Sequence, residues 1–551
     1  MEKDILGMTM RTNNQALPLA LVSALVLVAC GASEPSVEAN LTDTPTSPLV
    51  VDTLHGALEG VPSEAGDYVS YLGVPFAAPP VGDLRWAAPE APESWEGVRL
   101  ADTYADDCMQ VVPDPGSWNY RADASYSEDC LYLNVFAPAD AVNSDEALPV
   151  MFWVFGGGFL AGGISQPEYR DPSAYTDRDV ILVTANYRVG SFGYLAHPDF
   201  SAKSETGTSG NYGSMDHIAA LEWVQDNISG FGGDPSNVTV FGESSGGIAS
   251  NVLLSSPSAE NLWAKSIIQS GPAWGLTPYM RTLEEAEAWG EAFLERRGVT
   301  TLEEARALPA EAVNGLTPEE NAISAFAFQP ITDGVLTPRT SGDTILLGEQ
   351  PAKPMIIGWT REEAAFFYPF NRSEADMRAW FEAEFGDRAD ELINAYYLDD
   401  EDYRGAMVRA GTAGIAQGSL IEAELHSQKT DQVFVYRFDQ VPPGEQAAAM
   451  GVPHGTDVGY TFGYFPEGPD WRDEDFTLSS QLIDYWTAFA RTGEPVVEGL
   501  PEWPAFSADQ NDVMFFDTPL RVGALENHDA LLRSQKTANF SRDPELRALQ
   551  D

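Results

Sequence analysis

Residues 241–247 read FGESSGG, two adjacent serines in a turn walled by glycine. The pattern G-x-S-x-G follows the apolar run VTVF (238–241), and small residues open a helical pattern after it. Such a sequence puts the middle serine on a sharp strand-to-helix turn. Glycines flank it because a side chain there collides with neighbouring backbone. That geometry selects Ser244 as a nucleophile, with the N–H of Ser245 beside any oxyanion that forms. A serine hydroxyl is unreactive at neutral pH without an adjacent base and a preorganised site for negative charge.

The segment FGGGFLAGG (155–163), just after an apolar strand pattern, offers Gly157 and Gly158 as further amide donors for that charge; a plain tight turn is the alternative. The base should be a histidine, and the chain has six. His55, His197 and His217 lie upstream of the serine, His426 stands in a helical pattern and His528 is near the C-terminus. His454 stands in the loop GVPHGTD (451–457) after the strand pattern VFVYRF (433–438), and a loop at a strand end can deliver an imidazole to a nucleophile. The acid that orients the imidazole and stabilises its charged form is sought in IIGWTREEAAFF (356–367). Glu363 is selected and Glu362 competes with it, since neighbouring residues at a strand end face opposite ways.

The elements that must deliver these groups are legible as near-continuous apolar runs. PVMFWV (149–154), VILVTAN (180–186), VTVF (238–241), SIIQ (266–269), PMIIG (354–358) and VFVYRF (433–438) read as strands covered on both faces. MDHIAALEWVQDNI (215–228) is a helix by its spacing, and the alternation predicts a doubly wound α/β sheet. Two acidic, largely helical stretches, about 281–320 and 371–428, are expected to form a cap over the C-terminal edge of the sheet.

Upstream, ALPLALVSALVLVAC (16–30) is too short to span a bilayer core of ~30 Å and suits a secretory signal. Its end, LVAC before Gly31, resembles the bacterial lipobox, in which the signal is cut ahead of a cysteine that becomes lipidated. Residues 1–29 are therefore expected to be a signal peptide, 30–48 a flexible Ser/Thr/Pro/Glu-rich tether, and 49–551 one catalytic domain. An exported protein anchored in the bacterial envelope follows, in the outer membrane or periplasm. Only Cys30, Cys108 and Cys130 exist, an odd number. A Cys108–Cys130 disulfide would leave Cys30 alone, as a lipid anchor requires. The formal charge of −53 excludes a nucleic-acid partner, which needs a basic footprint.

Taken together the motifs resemble the type-B carboxylesterase/lipase family, the cholinesterase-like branch of the α/β-hydrolases, over about residues 50–540. FGGDPSNVTVFGESSG (231–246) is similar to the family's serine signature, and EDCLYLNVFAP (128–138) to its second signature, whose cysteine is bonded to one about twenty residues earlier, here Cys108. The resemblance implies an α/β-hydrolase fold with a large, mostly parallel sheet and helical cap insertions. It also implies a Ser244–Glu363–His454 triad, and Gly157, Gly158 and Ser245 as oxyanion donors. Phe155, Ser245 and the Glu362–Glu363–Ala364 run depart from the family's usual residues, and the last keeps both glutamates in play. Trp274, Phe326 and Phe328 are similar to acyl-pocket segments, Phe366 and Phe367 follow the acid where relatives carry alcohol-pocket aromatics, and Trp118 matches a choline-stacking tryptophan. The implied activity is hydrolysis of small to medium carboxylic esters through an acyl-enzyme, with no metal and no organic cofactor. A more selective hydrolase of choline esters, or of bulky xenobiotic or polymer esters, is the alternative. A cholinesterase-like binding module is remote, because members of that kind lack a triad residue.

Overall fold

The computed structural model of the protein describes residues 47–112, 121–274, 280–315, 327–368, 370–398, 401–507 and 509–525. Eleven strands form one sheet: β1 (Val61–Pro62), β2 (Tyr68–Pro75), β3 (Tyr132–Pro138), β4 (Leu148–Val154), β5 (Ile181–Ala185), β6 (Gly233–Glu243), β7 (Lys265–Gln269), β8 (Met355–Thr360), β9 (Val433–Phe438), β10 (Asp512–Phe516) and β11 (Arg521–Ala524). Their order across the sheet is β11-β10-β9-β8-β7-β6-β4-β5-β3-β2-β1. From β10 to β5 every neighbouring pair is parallel; β3, β2, β1 and β11 are joined antiparallel at the two edges.

The six apolar runs are six adjacent parallel strands, β5, β4, β6, β7, β8 and β9. Every residue of β5, β7 and β8 is buried, because helices cover both faces and leave no position for water. β2 instead alternates half-buried with buried residues at its start, the mark of a strand nearer the edge.

Eight helices matter for the site: α1 (Tyr212–Asn227), α2 (Ser245–Ser255), α3 (Leu283–Glu295), α4 (Glu374–Phe385), α5 (Ala389–Tyr396), α6 (Tyr403–His426), α7 (Thr456–Phe462) and α8 (Asp473–Thr492). α3 begins with a reciprocal cap between Thr282 and Glu285, and α4 with one between Ser373 and Asp376. Each cap satisfies donors that a helix start leaves open.

The second of the two stretches expected to form the cap, 371–428, divides in two. Met377, Phe381, Leu392, Ile393 and Met407 form a small core of their own among α4, α5 and the first half of α6. Ile415, Ala416, Leu420 and Ala423, from the second half of α6, join the main core against the sheet. α6 is one continuous helix because nothing in its 24 residues interrupts it, so it ties the cap to the sheet as a single rod. Cys108 and Cys130 are joined by a disulfide with an S–S distance of 2.07 Å. Cys30, the signal and all but the last two residues of the tether lie outside the described residues.

Candidate active site

The register of the parallel strands sets the site. Gly242 of β6 pairs with Val154 of β4, Glu243 with Gln269 of β7, and Gln269 with Gly358 of β8. Residues that follow these pairs, namely Phe155–Gly158, Ser244, Ser270 and the Thr360–Glu363 turn, leave the sheet at one edge. That edge is the carboxyl end of the parallel strands, where open α/β sheets bind ligands.

Ser244 stands between β6 and α2 with φ of +58°. A non-glycine residue in this region is strained by about 1–3 kcal/mol and persists only when its surroundings force it. The turn needs close neighbours: a Cβ added at Gly156 would lie 2.8 Å from the Glu243 carbonyl oxygen and 3.0 Å from Ser244 Cβ. The glycine loop therefore lies directly against the serine. It is braced from behind by Tyr187, whose hydroxyl donates to the Phe155 carbonyl at 3.0 Å and whose ring stacks on Phe155 at 4.4 Å. Gly157 and Gly158 both have positive φ, +118° and +67°. Ser245 is the first residue of α2, where an N–H has no acceptor within its own helix.

His454 sits in the loop between β9 and α7, with its ring largely enclosed. Its Nε2 is 2.7 Å from Ser244 Oγ and its Nδ1 is 2.5 Å from Glu363 Oε2. An ionised carboxylate only accepts hydrogen bonds, so in the neutral form of the ring, the form that can act as a base, Nδ1 carries the proton and Nε2 presents its lone pair to the serine hydroxyl. Glu363 has no solvent exposure. Its second oxygen accepts the Thr360 N–H at 2.7 Å and the Ser270 hydroxyl at 2.5 Å.

Glu362 faces the other way. It accepts Arg361 Nε at 2.7 Å and the Val452 N–H at 2.8 Å. The two adjacent glutamates thus divide the work, one reaching the imidazole and the other pinning the loop that carries it.

Two more carboxyls crowd the ring, and the sequence reading assigned them no role. Glu243, directly before the serine, places Oε1 3.3 Å from His454 Nε2. Asp457, on α7 one turn after the histidine, accepts from Gln269 Nε2 at 3.0 Å and the Tyr436 hydroxyl at 2.8 Å. Burial works against a charged His454, but Glu243, Glu363 and Asp457 outweigh it and push the imidazole up to about 9. Burial pushes the Glu243 carboxyl up, and the neighbouring imidazole pulls it back down toward its charged form. The arrangement is built to accept a proton onto the ring.

The aromatic candidates separate. Phe366 and Phe367 are 36% and 49% exposed, with ring centres 6.4 and 5.5 Å from that of His454. They flank the imidazole and face the outside. Trp274 is nearly buried, four residues beyond Ser270. Phe328 lies elsewhere: it is fully buried at 5.1 Å from Trp289 and 5.3 Å from Phe293, inside the packing of α3. A ring filling that core offers no surface to a substrate. Trp118 and Phe326 lie outside the described residues. Among the described residues no group of three or more His, Cys, Asp or Glu side chains is placed to hold a metal ion.

A nucleophile elbow, an aligned imidazole and carboxylate, and a facing glycine loop on a mostly parallel sheet narrow the candidates sharply. The sequence model described as "Carboxylesterase family" matches residues 47–532. The chain belongs to the carboxylesterase family. It is 35% identical over 501 residues to the fumonisin B1 esterase of Sphingopyxis macrogoltabida, covering 88% of each chain. It is 34% identical to the para-nitrobenzyl esterase of Bacillus subtilis (strain 168), over 86% of this chain and 96% of the relative. The phenmedipham hydrolase of Pseudarthrobacter oxydans is 32% identical, over 84% and 94%. A solved PNB esterase superposes with a TM-score of 0.75 at 31% identity, covering 89% of this chain and all of its own. The fold is the α/β-hydrolase fold, and this carboxylesterase is a serine hydrolase of carboxylic esters.

Proposed function

We propose that Ser244, His454 and Glu363 are the catalytic triad of this carboxylesterase and that Gly157, Gly158 and Ser245 donate the oxyanion hole. The observation that carries the reading is the single row Ser244 Oγ, His454 Nε2, His454 Nδ1, Glu363 Oε2, with links of 2.7 and 2.5 Å. His454 takes the hydroxyl proton as Ser244 attacks the ester carbonyl. The negative charge that develops on oxygen is met by three backbone N–H groups, each worth about 2.7–4 kcal/mol of transition-state stabilisation. His454 then gives the proton to the leaving alcohol, and water activated by the same ring releases the acid from Ser244. Ser244→Ala is expected to abolish turnover of p-nitrophenyl butyrate; retained turnover refutes the assignment.

Small to medium esters are the proposed substrates. A second reading, bulky esters, is favoured by the exposed pair Phe366 and Phe367 beside His454 and by relatives named for fumonisin B1 and phenmedipham. Hydrolysis rates across a panel that varies acyl and alcohol size decide between them, and butyrylthiocholine against a neutral butyrate ester tests a choline preference.

We also propose that residues 1–29 are a lipoprotein signal, that 30–48 tether the catalytic domain 49–551 and that Cys30 anchors it to the bacterial envelope. The apolar run 16–30, the LVAC end and the pairing of the other two cysteines support it. Metabolic labelling with a radioactive fatty acid should mark the wild type and not Cys30→Ser.

A further inference from the structure

One buried carboxyl takes no part in the proton transfers yet sits behind them. Glu422 lies on α6, one turn before its end, and has no solvent exposure. Its Oε2 accepts the Ala273 N–H at 2.7 Å and the side-chain amide of Asn251 at 3.3 Å. The same Asn251 nitrogen donates to the Gly271 carbonyl at 3.1 Å. Asn251 belongs to α2, the helix that begins beside the nucleophile. A carboxyl from the cap-to-sheet helix and an amide from the nucleophile's helix therefore hold residues 271–273 by their backbone.

That short segment meets the reacting row at its start and is packed tightly at its end. Ser270 donates to Glu363 Oε1 at 2.5 Å. Gly271 packs on the nucleophile itself, since a Cβ there would fall 2.4 Å from the Ser244 carbonyl oxygen. Trp274 packs on both sides: a Cβ added to Gly418 of α6 would meet its carbonyl oxygen at 2.2 Å, and one added to Gly342 would meet its indole at 2.3 Å. Ser270 also has φ of +52°, a conformation a serine holds only under outside restraint.

The segment packs on the backbone of Ser244, the residue that carries the acyl group in the proposed reaction. His454 must reach the leaving oxygen, so the alcohol half of an ester lies toward the imidazole and the exposed Phe366 and Phe367. The acyl half stays on Ser244, whose backbone carbonyl Gly271 approaches, and Gly271 leads directly to Trp274.

We propose that Glu422 is a positioning residue that fixes the Gly271–Trp274 segment and thereby sets which acyl chains this carboxylesterase accepts. The proposal rests on the reading of Ser244 as the acylated nucleophile. Glu422 acts as a neutral acid at neutral pH. Burial pushes its carboxyl up to about 8, with the bonds from Ala273 and Asn251 working the other way. Oε1 has no partner among the described residues, so the proton resides there and Oε2 stays free to accept. A glutamine reproduces that acceptor; a leucine removes it and strands two buried donors.

The test uses p-nitrophenyl acetate, butyrate and octanoate, which share one leaving group. Rates are normalised to Ser244 sites titrated with a fluorophosphonate. Glu422→Leu should shift the octanoate-to-acetate ratio of kcat/KM by about tenfold, the size expected when an unpaired buried donor burdens one transition state more than another. Glu422→Gln should leave the ratio within about twofold, because it keeps the acceptor. Glu422→Thr, too short to reach Ala273 but roomy enough for water, should shift the ratio in the same direction as leucine and covers the case in which the leucine variant does not fold. A wild-type ratio in the leucine or threonine variant with full titration overturns the proposal, as does a glutamine variant that behaves like leucine. Wild-type protein that takes no label at Ser244 overturns the nucleophile assignment and this proposal with it.

Discussion

Glu363→Gln changes one atom's worth of chemistry at a fully buried position, and its consequence can be worked from the bonds. Oε1 of Glu363 receives two donors, the Thr360 N–H at 2.7 Å and the Ser270 hydroxyl at 2.5 Å, and Oε2 receives the His454 Nδ1–H at 2.5 Å. A glutamine has one acceptor and one donor end. The Thr360 amide is fixed in the chain and can only donate, so the glutamine oxygen must take the Oε1 position. Its NH2 then faces His454 Nδ1, which must become an acceptor. The imidazole proton moves to Nε2 and points at Ser244 Oγ, where it cannot accept the hydroxyl proton. Placing the wrong tautomer in such a triad costs about 10⁴-fold in kcat. KM should change little, because no group that touches the substrate is removed. The assay is stopped-flow acylation by p-nitrophenyl butyrate at neutral pH, with thermal unfolding to show that the fold is retained. A loss of less than about tenfold with the fold intact refutes the reasoning, since the buffered orientation of the ring is then not what Glu363 supplies.

Two further outcomes follow from the same geometry. Glu243 helps hold a proton on His454, and only the neutral ring can act as base, so the acid limb of kcat/KM should move to lower pH in Glu243→Gln; a limb that stays in place rules out the 3.3 Å contact as a source of the raised imidazole. The Cys108–Cys130 bond closes a separation of 22 residues, so replacing both cysteines by serine should cost about 3 kcal/mol in a denaturant titration by the loop-entropy relation, and an unchanged midpoint contradicts that.

The sheet's parallel core was readable because each of its strands is buried on both faces and so shows as an unbroken apolar run. β2 and β3 are strands too, but β2 alternates half-buried and buried residues only over its first four, and the otherwise buried run of β3 is broken by the polar Asn134. α6 was expected wholly in the cap. Its Gly- and Ala-rich sequence, YRGAMVRAGTAGIAQGSLIEAELH, gives no sign of where it passes from packing on α4 and α5 to packing on the sheet. At the site, Ser244, Glu363 and His454 stood out because each follows a strand run at its carboxyl end. Ser270 does as well, but a serine after SIIQ carries no charge to draw notice. Glu243, Asp457 and Glu422 were hidden among 84 acidic residues, and only burial distinguishes them from carboxylates in water. Phe328 shows the converse: an aromatic read as a pocket wall is fully buried in the main core beside Trp289 and Phe293.

The central claim is that one of two neighbouring serines is the nucleophile and that His454 activates it. Fluorophosphonate treatment of the intact enzyme, followed by proteolysis and mass spectrometry of the peptide spanning FGESSGG, tests it most directly. The account predicts a single adduct on Ser244 in the wild type and its loss in His454→Ala. An adduct on Ser245, or labelling of Ser244 at the wild-type rate without the imidazole, contradicts it.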